Sequence, residues 1–317
     1  MAAKRSFHQV AKQVATRTLL LSDGKVIPAI AWGNGTGGLA KGGDRAVLGG
    51  QLALEAGIRH LDTAQSYHTE AETTAAIGAT GLKRSDVFVT DKISRNTFKG
   101  KERTRENVRE SVINSLDKLG SKPDLLLIHD IRVPDQGKIP EFWRYLEEMV
   151  EDGTLGGVSL GFSNFRPQDI EAVMSVARIK PVVNQVEFHP YVYAHLEPLM
   201  ELQARHGITM AAFGPLTPIL RHPTGGPLKP VLERIGAAHG LDPASVLLLW
   251  TVQKGVVAVT SSKSEGNLRK IGAINTLPDL SLEEITAIDE AGKKIHFRFY
   301  KNHMTKDFAA PDLPEDV

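Results

Sequence analysis

Three observations predict that this sequence forms a closed (β/α)8 barrel of the TIM type. From Asp44 onward, short apolar segments alternate with stretches of helical periodicity. The apolar segments are uninterrupted, as expected of parallel strands that are buried on both faces. Eight such units fit the roughly 250 residues that a barrel of this kind needs. An open, doubly wound sheet is the alternative that periodicity alone leaves open.

The predicted elements follow one another in chain order. The strand candidates are 58–61, 87–89, 125–128, 158–162, 182–183, 208–213, 256–259 and 273–277. Helical spacing covers 46–56, 70–79, 108–119, 143–150, 170–176, 196–202 and 244–252. First-turn prolines at Pro167 and Pro243 indicate helix starts, the second behind the capping residue Asp242. Ser281 and Glu284 form a capping box that opens a final helix.

The chain before the barrel predicts a β-hairpin that closes its bottom. Apolar residues 19–21 and 26–27 flank an Asp23-Gly24 turn. The glycine-rich loop at 33–38 is not a dinucleotide-binding fingerprint, because no helix follows it directly in a βαβ unit. We predict a single domain over 1–317. Residues 1–17 are expected to be a flexible extension, although their basic character also allows a targeting segment.

Composition excludes several classes of function. The 317 residues carry 38 basic and 37 acidic side chains, and this balance favours neither nucleic acid nor a membrane surface. The absence of cysteine excludes disulfides and Cys-ligated zinc, and it fits a reducing, cytoplasmic setting. No apolar run approaches the roughly 18–20 residues of a membrane span. The histidine spacing matches no metal-binding motif, so no metal site is expected.

Polar side chains follow the predicted strands at the end where barrels carry their catalytic groups. Asp62 and Tyr67 follow the first candidate strand, Lys92 the second and His129 the third. Taken singly, each has a structural interpretation, such as a turn former, a solvated lysine or a hydrogen-bonded histidine. The barrel brings all of them to one mouth, which favours a shared functional site.

These four side chains suit the reduction of a carbonyl group. A free tyrosine has a pKa near 10, too high for efficient proton donation at neutral pH. A neighbouring ammonium lowers that pKa, and a carboxylate holds the ammonium in place. A histidine opposite can orient a carbonyl oxygen. The set would protonate a developing alkoxide if a hydride source lay beside it.

The remaining strand ends suit a nicotinamide nucleotide as that source. Ser163, Asn164 and Gln185 can hydrogen-bond a carboxamide, and Phe213 can stack on the nicotinamide ring. A serine- and lysine-rich loop follows the strand at 256–259, where barrels often bind phosphate.

At these positions the sequence resembles the aldo-keto reductases. The matching segments, in order, are L-D-T-A-Q-S-Y, D-K-I, L-L-I-H-D, G-F-S-N-F, V-N-Q-V-E-F-H-P-Y, A-F-G-P-L and V-T-S-S-K-S-E-G-N-L-R. The resemblance implies a general acid, Tyr67, with Asp62, Lys92 and His129 completing a catalytic tetrad. It also implies a monomer that binds NADPH. The cofactor residues it implies are Gly35, Thr36, Ser163, Asn164, Gln185, Phe213, Gly214, Leu216, Ser261, Ser262, Lys263 and Arg269.

The sequence departs from the family pattern in three places. Asp91 stands where threonine is commoner, which puts a second carboxylate near the tetrad unless it points away. Phe213 stands where many relatives have tyrosine. In the phosphate loop, Lys263 and Arg269 could grip a 2′-phosphate, whereas Glu265 could accept from a ribose hydroxyl. We expect NADPH in preference to NADH.

The expected function is NADPH-dependent reduction of a small-molecule aldehyde or ketone. The V-T-S-S-K and F-R-F-Y segments resemble those of fungal reductases of conjugated polyketones and ketopantoyl lactone. This resemblance implies α-keto lactones and diketones as further candidate substrates. Two alternatives stay open: a Schiff-base lyase that uses Lys92 as nucleophile, and a non-catalytic, cofactor-binding subunit. Substrate choice is expected to depend on loops 132–140 and 216–227 and on the tail 304–317, with Trp32, Trp143 and 297–300 as pocket candidates.

Overall fold

A computed structural model describes residues 16–36 and 38–302. The strands are β1 (Thr18–Leu20), β2 (Val26–Pro28), β3 (Ile30–Gly33), β4 (His60–Asp62), β5 (Phe88–Ile93), β6 (Leu125–Ile128), β7 (Ser159–Ser163), β8 (Val183–Glu187), β9 (Thr209–Phe213) and β10 (Val257–Thr260). The helices are α1 (Asp44–Glu55), α2 (Glu70–Thr80), α3 (Arg105–Leu119), α4 (Ile139–Glu151), α5 (Pro167–Met174), α6 (Pro190–His206), α7 (Thr217–Leu220), α8 (Leu228–His239), α9 (Pro243–Gln253), α10 (Glu265–Ala273) and α11 (Leu282–Gly292).

Eight parallel strands close the barrel in the order β10-β3-β4-β5-β6-β7-β8-β9, which confirms the predicted fold class. The helices pack around it, and a continuous apolar core fills the space between helices and strands. Because all eight strands run in the same direction, their carboxyl ends meet at one mouth. Polar residues from neighbouring strands therefore come together there.

The hairpin β1–β2 closes the opposite end of the barrel, as predicted. Its strands pair antiparallel, with Leu20 opposite Val26. Leu21 and Ile27 pack into the barrel interior together with Leu125 and Val257, the first residues of β6 and β10. The bottom of the barrel is thus filled with apolar side chains.

The predicted eighth strand at 273–277 is wrong. Helix α10 ends at Ala273, and the residues after it form turns in which the Leu277 amide donates to the Ala273 carbonyl at 3.2 Å. The missing strand is β3, which lies earlier in the chain and pairs in parallel with β10 and β4. A buried helix end and a short buried strand are both apolar runs, and periodicity alone does not separate them.

The other predicted elements overlap observed ones, with ends that differ by up to six residues, whereas helices α7 and α8 were not predicted. The capping box at Ser281 and the Asp242 cap are present. Of the predicted extension 1–17, residues 1–15 lie outside the described part of the chain. Arg17 is held in place, because its Nε donates to the Ile274 carbonyl at 2.9 Å. The predicted tail from Met304 also lies outside the described residues.

Among the helices described, none alone is long and apolar enough to cross a membrane. Helices α8 and α9 together have sufficient length and apolar character, but they are bent by 93° relative to each other.

Candidate active site

The predicted tetrad comes together at the mouth of the barrel. Lys92 Nζ lies 2.5 Å from Asp62 Oδ1 and donates to the Thr63 carbonyl at 3.1 Å. The same ammonium lies 5.0 Å from the centroid of the Tyr67 ring. The Tyr67 hydroxyl is 3.3 Å from His129 Nε2. The four groups form one connected cluster at the ends of β4, β5 and β6.

Burial decides the protonation states in this cluster. Burial raises the pKa of Tyr67 above its ordinary value, and Lys92 only partly opposes this. Lys92 thus acts on the pKa of Tyr67 in the expected, lowering direction, but burial outweighs it and the net pKa is raised. Burial also acts to lower the pKa of Lys92, but Asp62 and Tyr67 hold that pKa above its ordinary value. The cluster thus combines a protonated phenol with an ammonium beside it.

Ser94 supports His129, and the sequence did not single it out. Its Oγ lies 2.9 Å from His129 Nδ1, and it accepts from the Ser66 amide at 3.2 Å. The sequence does contain a signal for Ser94, namely its spacing from Lys92, because residues two apart on a strand face the same side. Ser94 follows Lys92 at that spacing, so its position beside the tetrad could have been expected.

Gly35 makes room for the Tyr67 ring. A Cβ atom at position 35 would lie 2.5 Å from Cζ of Tyr67, far inside contact distance. Any larger residue at this position would push the phenol out of place. The glycine-rich loop after β3 is therefore used for a close approach to the site.

Asn164 offers a hydrogen-bond acceptor toward the barrel mouth. Its backbone adopts a left-handed φ of 59°, a conformation that asparagine tolerates better than most residues. Its Nδ2 donates to the Ser163 hydroxyl at 2.9 Å and to the His129 carbonyl at 3.2 Å. Its Oδ1 is buried and has no hydrogen-bond partner among the described residues. An unsatisfied buried acceptor of this kind fits an amide N–H from a ligand.

A cavity of about 260 Å³ opens above the tetrad. Nine of the twelve predicted cofactor residues line it: Gly35, Thr36, Ser163, Asn164, Gln185, Phe213, Gly214, Leu216 and Ser261. Asp62, Tyr67 and His129 line it as well. The carboxamide and ring-stacking positions predicted from the sequence therefore face the same space as the tetrad.

The other three predicted cofactor residues do not line this cavity. The Ser262 carbonyl accepts from Trp32 Nε1 at 3.1 Å. Lys263 Nζ lies beside the loop after β3, 4.0 Å from where a Cβ on Gly38 would stand. The Arg269 guanidinium is paired with Glu265 on the surface of α10. The phosphate loop thus reaches the cavity through Ser261, while Ser262 and Lys263 lie outside its lining and Arg269 is paired with Glu265.

The segment 297–300 contributes Tyr300 to the cavity wall. Glu187, fully buried at the end of β8, accepts from the amides of Phe299 at 2.9 Å and Tyr300 at 3.2 Å. The same carboxylate pairs with Arg298 at 3.3 Å. These contacts fix the Tyr300 ring at 5.1 Å from Phe213. The other pocket candidates, Trp32 and Trp143, are buried in the core and do not line the cavity.

Asp91 points away from the tetrad, into the layer between the barrel and α2 and α3. Its Oδ2 lies 2.5 Å from the Ser115 hydroxyl, which also contacts Glu70 Oε1. A serine hydroxyl carries one hydrogen, so it can donate to only one of these oxygens. One of the two carboxyl groups must therefore hold a proton. Lys118 Nζ lies 3.5 Å from Glu70 Oε2 and favours the charged form of Glu70, whereas burial and the nearby Glu70 raise the pKa of Asp91 to about 7. We therefore expect Asp91 to hold the proton.

Asp91→Asn is expected to remove a pH dependence of stability. Free Asp has a pKa near 3.9, and the folded value is about 7. The neutral Asp91 carboxyl therefore contributes to the free energy of unfolding in full below about pH 4. This contribution is lost as the pH rises to about 7, with a maximum slope of about 1.4 kcal/mol per pH unit. Thermal melts from pH 4 to 8 should show wild type losing stability relative to the variant. The exposed Asp117→Asn is the control, and parallel curves for Asp91→Asn and wild type would contradict the assignment.

The chain belongs to the aldo/keto reductase family, whose model matches residues 33–293. It is 31% identical over 293 residues to an NAD/NADP-dependent indole-3-acetaldehyde reductase of Schizosaccharomyces pombe, covering 90% of this chain and 99% of the relative. It is 30% identical over 333 residues to a glycerol 2-dehydrogenase (NADP(+)) of Hypocrea jecorina, covering 96% and 100%.

Solved structures agree with this assignment. An aldo-keto reductase of Bombyx mori, in complex with NADP, superimposes with a TM-score of 0.78 at 26% identity. The match covers 94% of this chain and 99% of that one. The similarity therefore extends over the whole barrel and includes every strand that carries a tetrad residue.

Proposed function

We propose that this protein reduces an aldehyde or ketone to an alcohol with NADPH, using Tyr67 as the general acid. The observation that carries the proposal is the contact of the Tyr67 hydroxyl with His129 Nε2 at 3.3 Å, beside the Lys92 ammonium. This cluster lies at the base of the cavity of a barrel that belongs to the aldo/keto reductase family.

In this mechanism the substrate carbonyl oxygen approaches from the cavity, within hydrogen-bonding reach of both the Tyr67 hydroxyl and His129 Nε2. His129 orients the oxygen by hydrogen bonding, and Ser94 holds the imidazole at 2.9 Å from the other side. Tyr67 donates its proton as negative charge develops on the oxygen. Lys92 stabilises the resulting phenolate, and Asp62 keeps the lysine charged and in place. A bound nicotinamide cofactor would supply the hydride.

The residues present fit such a cofactor. Asn164 Oδ1 is buried without a partner among the described residues and can accept from the carboxamide. Phe213 lines the cavity where a nicotinamide ring would stack. Lys263, beside the loop after β3, would hold phosphate. Because Lys263 offers a cation for a 2′-phosphate, NADPH is proposed in preference to NADH.

For the substrate we propose vicinal dicarbonyl compounds, such as α-keto lactones and diketones, besides simple aldehydes. The F-R-F-Y segment that resembles fungal reductases of such compounds is the one that places Tyr300 in the cavity wall. A phenol at this position can donate to a second oxygen of the substrate.

A panel of aldehydes, diketones and α-keto lactones, assayed with NADPH and with NADH, tests the proposal. We expect loss of reduced-nicotinamide absorbance, faster with NADPH, and an alcohol product. No turnover of any carbonyl with either nucleotide would overturn the proposal and favour a non-catalytic subunit.

The burial of Lys92 argues against a Schiff-base lyase. Its ammonium is fully buried and bound to Asp62 and the Thr63 carbonyl, so it is held charged and lacks the free amine that a nucleophile needs. Borohydride should trap no substrate on Lys92, and a stable adduct there would favour the lyase.

A further inference from the structure

Arg221 is a positive charge in the wall of the active-site cavity. It follows α7 and lines the same cavity as Tyr67 and Tyr300. Its guanidinium lies 5.0 Å from the centroid of the Phe299 ring, which supports it by a cation–π contact. The side chain is therefore positioned by an aromatic face rather than by a carboxylate.

Within residues 16–36 and 38–302, no carboxylate lies within ion-pair distance of Arg221. Three other arginines around the mouth are paired. Arg132 binds Asp130 at 3.0 Å, Arg166 binds Asp169 at 2.7 Å and Arg298 binds Glu187 at 3.3 Å. Arg221 is exposed at the edge of the cavity, and its charge is thus available to an anionic group that reaches this edge.

Arg221 and Tyr300 act on the same region of the cavity. The Phe299 ring that supports Arg221 also contacts the Tyr300 ring, at a centroid distance of 5.0 Å. Because the Arg221 guanidinium lies 5.0 Å from that same ring, Arg221 and Tyr300 flank one aromatic side chain. Both also line the cavity that Tyr67 lines.

Glu187 anchors the backbone of the segment that carries the two aromatic rings. Its carboxylate accepts from the backbone amides of Phe299 and Tyr300. The Tyr300 side of the subsite is therefore held in place before a ligand binds. Such preorganisation lowers the ordering cost of binding an anion.

We propose that Arg221 and the Tyr300 hydroxyl bind a carboxylate carried by the substrate, remote from the carbonyl that is reduced. The enzyme then prefers keto acids or carboxylated aldehydes over their neutral counterparts. This inference rests on the proposed reductase function and names the substrate class of the same site. The proposed cation for the cofactor phosphates is a different residue, Lys263, which does not line this cavity.

A matched substrate pair tests this: 4-carboxybenzaldehyde and its methyl ester, which present the same aldehyde with and without a negative charge. A charge-assisted hydrogen bond is worth roughly 10- to 100-fold in binding. We expect wild type to favour the acid by about tenfold or more in kcat/KM, mainly through KM. Arg221→Met should bring the ratio close to one, and Arg221→Lys should restore part of it.

Controls separate the possible failures. The exposed Arg205→Met on α6 should keep the wild-type ratio. The subsite is overturned if Arg221→Met leaves the acid-to-ester ratio of kcat/KM unchanged, or if wild type does not prefer the acid. In either case, reduction of the ester would still support the reductase function. The Kd for NADPH is read from tryptophan fluorescence. If Arg221→Met raises this Kd and leaves the acid-to-ester ratio unchanged, Arg221 binds the cofactor, and the inference is also overturned. Failure to reduce either aldehyde instead overturns the proposed function.

Discussion

Tyr67→Phe is expected to lower kcat/KM for carbonyl reduction by about 10²- to 10⁴-fold, the usual contribution of a positioned general acid. The change removes one oxygen and leaves the ring, whose packing against Gly35 and beneath the Lys92 ammonium is unaltered. Only the proton donor and its contact with His129 are lost. Steady-state kinetics with an aldehyde and NADPH measure the effect, and both kcat and kcat/KM should fall because the proton moves in the transition state.

Two measurements make the Tyr67 result specific. Tyr145→Phe on α4 removes a hydroxyl that donates to Glu141 at the surface, and it should keep wild-type kinetics. The Kd for NADPH in Tyr67→Phe should match wild type, since the phenol is assigned to the substrate. Wild-type activity in Tyr67→Phe would remove Tyr67 from the mechanism. An equal loss in Tyr145→Phe would indicate a general effect of tyrosine removal.

The sequence predicted that Asp62, Lys92 and His129 lie together, because this arrangement depends on parallel register. Asp62 pairs in register with Thr90, two residues before Lys92, and Lys92 pairs with Leu127, two before His129. Residues at the ends of successive parallel strands therefore come together without any knowledge of loop conformation. Strand alternation could also have shown that Asp91 faces the helices once Lys92 faced inward.

Other parts of the site depend on contacts that have no local sequence signal. Glu187 binds Phe299 and Tyr300, more than 110 residues further along the chain. The placement of Arg221 depends on the course of the loop after β9 and on the Phe299 ring. Strand β3 was not predicted because it has four residues and its last residue, Gly33, is also the first of the glycine-rich loop, which indicates a loop rather than a strand.

Lys92→Met should both destabilise the protein and inactivate it. Lys92 is fully buried, and its side chain is bound to Asp62 and the Thr63 carbonyl. Methionine fills a similar volume but leaves the Asp62 carboxylate buried, with the neutral Gln185 amide at 2.8 Å as a donor in place of a cation. Removing one partner of a buried ion pair costs roughly 3–5 kcal/mol, because the other charge stays uncompensated. Urea unfolding followed by circular dichroism measures this loss.

The double variant Asp62→Asn with Lys92→Met separates the structural role of this pair from its chemical role. The asparagine side chain would keep an oxygen for the Gln185 amide but carry no charge, so the double variant should regain most of the lost free energy of unfolding. It should not regain activity, since the phenolate formed at Tyr67 would still lack the ammonium beside it. If stability and activity returned together, the pair would serve only the fold. If neither returned, the loss in Lys92→Met would come from packing rather than from the unpaired Asp62 charge.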